Sequence, residues 1–80
     1  MTVAQAVAKR IKGLLKEKGI TQYRLEKLSG IQHGSMQCIM NGRNKTVTLS
    51  TVMLLAKGFG ITLTEFLNDE LFSLKNLDIE

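Results

Sequence analysis

The sequence predicts an all-α fold of five short helices, followed by a short apolar and acidic C-terminal extension. Three observations point there. No proline occurs, and the seven glycines fall mainly between segments in which apolar residues recur every three or four positions. A threonine precedes four of those segments, where its hydroxyl can accept from an otherwise unsatisfied first-turn N–H. No strand pattern competes with the helical ones.

The first helix opens on Thr2-Val-Ala-Gln5, a capping-box pattern, and carries Val3, Val7, Ile11, Leu14 and Leu15 at helical spacing. Lys9, Arg10, Lys12 and Lys16 point outward, and Gly19 closes it. Thr21 caps a second helix running through Leu28, with Leu25 and Leu28 inward, until Ser29-Gly30 breaks it. The third runs from about Gln32 to Asn41, with Ile31, Met36 and Ile39 on one stripe and Asn41-Gly42 as its end. After the polar loop 43–46, Thr48 caps a fourth helix holding Leu49, Val52, Met53, Leu55, Ala56 and Phe59. This most apolar segment is the expected central core helix, ending at Gly58 or Gly60. Thr62-Leu-Thr-Glu65 is a second capping box and starts the fifth helix with Phe66 and Leu67.

Eighty residues make one domain with little apolar area to spare, so a large internal ligand cavity is not expected. The expected division is a helical domain over 1–68 and a tail over 69–80. The net charge of +4 conceals an asymmetry. Residues 1–60 carry ten Lys/Arg against Glu17 and Glu26, whereas 61–80 carry Lys75 against five acids. A basic body suits a polyanion, and an acidic end is better placed away from it.

Several chemistries are excluded. Cys38 and His33 are the only residues of their kinds, too few for a protein-only zinc site. Their five-residue offset turns them about 140° apart on a helix, so they do not form a nucleophile–base pair. An enzyme reading and a cofactor have no residues to rest on. The longest apolar run, Val52 to Ala56, is far short of a membrane span, no signal-peptide core opens the chain, and the single cysteine suits a reducing compartment, so a cytoplasmic protein is expected.

Two short helices around a turn pivoting on Gly30 form the pattern of a helix-turn-helix. The resemblance sharpens over Ile20 to Leu67. The segments Thr21-Gln-Tyr-Arg-Leu25, Leu28-Ser-Gly-Ile31, Ile39-Met-Asn-Gly42 and Gly60-Ile-Thr-Leu-Thr-Glu-Phe-Leu67, with Leu49 and Ala56 between them, resemble the Cro-like phage-repressor (XRE) family. That resemblance implies a compact five-helix, lambda-repressor-like domain that binds double-stranded DNA, with its second motif helix in the major groove. It places base-reading positions at Gln32, His33, Gln37 and Cys38, and a close-approach position at Gly34. Gln22, Asn41, Arg43, Asn44 and Lys45 fall on backbone-contacting positions, with Gln22 also bracing His33. A glutamine pairs bidentately with the N6 and N7 of adenine, which favours Gln32 and Gln37 as direct readers.

The sequence departs from the family at two places. Glu26 stands where members commonly have a small residue at the crossing of the motif helices, so its carboxylate must reach solvent or find a partner. Leu15 and Met40 replace an arginine–glutamate pair, and changing both partners to apolar residues preserves stability. Apolar Leu71, Phe72, Leu74 and Leu77 are expected to mediate a homodimer. The reading is thus a transcriptional regulator, a repressor acting as a dimer. The alternative is an antitoxin or adaptor whose tail binds a partner protein and whose helix-turn-helix autoregulates.

Overall fold

The computed structural model describes residues 1–44 and 46–79. Five α-helices follow one another, α1 (Val3–Lys18), α2 (Gln22–Ser29), α3 (His33–Asn41), α4 (Leu49–Phe59) and α5 (Leu63–Leu67). Single-turn 3-10 helices at Glu70–Phe72 and Leu74–Asn76 complete the chain. All four expected threonine caps form. Thr2 and Thr62 make both halves of a capping box, while Thr21 and Thr48 accept from the N–H groups of Arg24 and Thr51. α1 to α4 each end on a glycine of positive φ, and Gly60 rather than Gly58 closes α4.

α1 packs against α3 and the first turn of the tail, and α4 against α2 and α5. Ile11, Leu25, Met36, Leu55 and Phe66 meet at the centre, all fully buried. The centre is not α4 alone. α1 buries six residues, three of them alanines, whereas Leu49 and Met53 on α4 stay more than half exposed. A domain this small has too few partners to cover an all-apolar helix on every side. Leu15 and Met40 both lie against the core, as an apolar replacement of an ion pair requires.

Leu28 is a correction: it lies 41% exposed, and Ser29 is buried in its place. The cause is the crossing of α2 and α4 at Gly58. A Cβ on Gly58 would come within 2.9 Å of both the Leu25 side chain and the Ser29 Cβ, so only a small residue fits beneath it.

The tail is docked. Phe72 packs on the core with its ring 6.1 Å from that of Phe66. The Met1 ammonium donates to the Asn76 carbonyl at 3.0 Å and lies 3.3 Å from the Asp78 carboxylate, while the Asp78 N–H donates to the Met1 carbonyl at 2.7 Å. Arg10 reaches across from α1, with Nε donating to the Phe66 carbonyl at 2.8 Å and Nη2 to the Glu65 carbonyl at 2.9 Å. Its Nη1 pairs with Asp69 at 3.3 Å. Arg10 therefore caps the C-terminal end of α5 and is not on the free basic face where its spacing put it.

Candidate nucleic-acid interface

The turn between α2 and α3 is set by three consecutive residues. Gly30 takes φ 78°, a left-handed conformation that costs other residues about 1 kcal/mol or more. This reverses the chain at once and directs Ile31 into the core. Buried Ser29 secures the reversal, its Oγ accepting from the Ile31 N–H at 3.2 Å. Gln32, in extended conformation, is the N-cap of α3 and makes no side-chain cap bond.

Met36 is fully buried and Ile39 and Met40 pack on the core. At about 100° per residue, the outward face of α3 is then centred on Gly34, with Gln37, Cys38 and Asn41 around it. All four are exposed, and His33 flanks them on the side toward α2. A Cβ at Gly34 would meet nothing within 4 Å, so the protein itself does not require glycine there. Apart from His33 the helix bears no ionisable group but the Cys38 thiol.

The structure brings four polar side chains together at the junction of the two motif helices. His33 Nδ1 lies 2.9 Å from Glu26 Oε2, and Gln22 Nε2 donates to the same oxygen at 3.1 Å. Gln22 Nε2 also lies 3.4 Å from Gln37 Oε1. Glu26 thus finds the partner its position demands, with its side chain only 9% exposed. The hydrogen bond from His33 holds the Glu26 carboxyl below the usual carboxylate range, against an opposing effect of burial. Gln22 was expected to brace His33; it braces Gln37, and Glu26 holds the histidine.

The remaining expected positions divide into two places. Cys38 and Asn44 line a shallow cleft of about 370 Å³ with Ser35, Thr46 and Ala4, on the side of α3 away from His33. Asn41 lies at the other end of the helix, in a groove also lined by Lys9 and Lys12 of α1. Arg43 is exposed in the α3–α4 loop, and Lys45 lies outside the described residues. Tyr23 is 66% exposed, with the Lys27 ammonium 5.2 Å from its ring centre.

Sequence reasoning missed Glu26 as a member of the site, although its misfit with the family pattern was the signal. It also missed Ser35 and Thr46, which line the cleft with Cys38 and Asn44. Of the four expected dimer residues, Leu74 is 76% exposed, whereas Leu71, Phe72 and Leu77 are half-buried. No helix among the described residues is long and apolar enough to cross a membrane.

Residues 10–71 match the sequence profile of the Cro/C1-type helix-turn-helix DNA-binding domain. No curated protein and no solved structure matches the chain.

Proposed function

The chain belongs to the Cro/C1-type helix-turn-helix DNA-binding family, and we propose that it is a cytoplasmic transcriptional repressor that reads one duplex sequence by laying α3 in the major groove. The observation that carries this reading is the exposed face of α3. It presents uncharged hydrogen-bonding groups around a side-chain-free centre at Gly34. Such groups read base edges, and the cationic residues beside them hold phosphates. Lys9 and Lys12 flank the C-terminal end of α3, and Arg43 follows it in the loop. Gln32, His33, Gln37 and Cys38 are the proposed base readers, and Gln22, Asn41, Arg43, Asn44 and Lys45 the backbone contacts. Repression needs only occupancy of a site, which this surface supplies.

The same reading has the protein act as a dimer through the tail, with Leu74 at the seam and Leu71 and Leu77 beside it. Two recognition helices in successive major grooves lie about 34 Å apart.

The test is selection from a random duplex library, followed by sedimentation of protein and complex. The expected result is a near-palindromic site bound by a dimer. Failure to enrich any sequence would overturn the reading of α3. A chain that sediments as a monomer, alone and on DNA, would overturn the dimer and favour an antitoxin or adaptor whose exposed tail side chains meet another protein.

A further inference from the structure

A carboxylate only accepts hydrogen bonds, so the 2.9 Å contact between His33 Nδ1 and Glu26 Oε2 requires the proton of the ring to sit on Nδ1. The Glu26 side chain is 9% exposed and that of His33 is 68% exposed, so the contact is anchored on the inner partner and the ring projects from it. Gln22 donates to the same carboxylate oxygen at 3.1 Å, which fixes the carboxylate in turn. With Nδ1 tied inward, Nε2 is the one polar atom His33 has left to offer.

Resting on the reading of α3 as the groove helix, we propose that Glu26 is a positioning residue that sets how the protein reads one base pair: it orients His33 so that Nε2 alone meets the base edge. The ligand chemistry follows from the state of that atom. In the neutral ring Nε2 carries a lone pair, which matches the exocyclic amino group of adenine or cytosine. When the ring is doubly protonated, Nε2–H donates and matches the O6 and N7 of guanine. The base preferred at this position therefore changes with the protonation of His33, while the positions read by the amides of Gln32 and Gln37 do not change.

The charged surroundings leave Glu26 in control of this group. On α2, Glu26 touches the ring and Lys27 acts on Glu26 through its charge. On α3 itself, the Cys38 thiol is turned about 140° away. From α1, Lys9 and Lys12 lie beside Met40 to Gly42, at the far end of α3.

Two measurements test the proposal separately from DNA binding as such. The first is long-range proton–nitrogen NMR of the free protein over a pH series, which identifies the neutral ring and its tautomer directly. The wild type should show the Nδ1–H tautomer, Glu26→Ala should lose it, and Glu26→Gln, which keeps an acceptor at that place, should retain it. A wild-type ring in the Nε2–H form would overturn the proposal. The second is duplex selection at one pH where the NMR series shows the ring doubly protonated and at a higher one where it shows the ring neutral. The wild type should move from guanine to adenine or cytosine at a single position, with about tenfold discrimination at each pH. Glu26→Ala should bind the same site with that one position relaxed. If Glu26→Ala selects the wild-type sequence with the wild-type pH response, Glu26 does not position His33 and the inference falls. Absence of any selected sequence would instead count against the groove reading, and the NMR result would then decide the inference alone.

Discussion

Arg10 shows at the level of one side chain how a residue of the expected type takes an unexpected task. Its spacing puts it on the outer face of α1 with three lysines, yet its side chain is 17% exposed and its guanidinium is bonded to two carbonyls of α5. A planar fork of five donors can close a helix end and hold a carboxylate together, which a lysine cannot do. The Asp69 pair is partly exposed and contributes little, so the carbonyl bonds carry the effect. Arg10→Ala is expected to lower stability by about 2 kcal/mol, with Tm down by on the order of 10 °C. DNA affinity measured well below the new Tm should keep its salt dependence, which a lost phosphate contact would reduce. Glu26 is the second residue with a measurable signature. Its depressed pKa means that the folded state holds the carboxylate more strongly than the unfolded chain does. That stability is fully present above the ordinary value of 4.5 and is lost as pH falls through the lower folded-state value. Acid unfolding monitored by circular dichroism should accordingly show a shallower fall below that pH in Glu26→Gln than in the wild type.

At the scale of elements, most of the fold was legible because each helix carries its own start and stop. The threonine caps and glycine ends are local signals and need no knowledge of the rest of the chain. Which apolar residues face inward was less legible. An eight-residue helix such as α2 offers both Leu28 and Ser29 as inward candidates, and the choice is made by Gly58, twenty-nine residues beyond Ser29 on another helix. Two glycine substitutions separate the packing and recognition roles. Gly58→Ala introduces overlap costing about 1 to 3 kcal/mol, partly offset by about 1 kcal/mol of helix propensity, so net destabilisation on the order of 1 kcal/mol is expected. Gly34→Ala has open space around it and should stabilise the free protein by about 1 kcal/mol. Chemical denaturation of the two variants checks both signs. Because Gly34 sits at the centre of the face assigned to the groove, its alanine variant should also bind duplex DNA more weakly despite being more stable. Unchanged affinity would mean that the helix does not approach the bases closely.

For the whole molecule, the charge asymmetry was plain in the sequence but the placement of the tail was not. Contacts such as Met1 with Asn76 join residues 75 positions apart, and single 3-10 turns have no period to read. The radius of gyration, 11.6 Å, equals the value of about 11.6 Å expected for a compact domain of this length, as a docked tail requires. Phe72 therefore supports its own core, and the side chain left most available to a second copy is Leu74. Duplex binding should weaken steeply with salt, by about 0.9 log unit per log unit for each phosphate neutralised, and Arg43→Ala should reduce that slope.

The central claim is that α3 reads bases while the basic surroundings hold the backbone, and the affinity of Gln37→Ala relative to wild type tests it most directly. That ratio is to be measured on the selected duplex and on random duplex at one salt concentration. A loss of about 1 to 3 kcal/mol on the selected duplex with little change on the random one is predicted. An equal loss on both, in a variant of wild-type stability, would contradict the claim and make Gln37 a backbone contact.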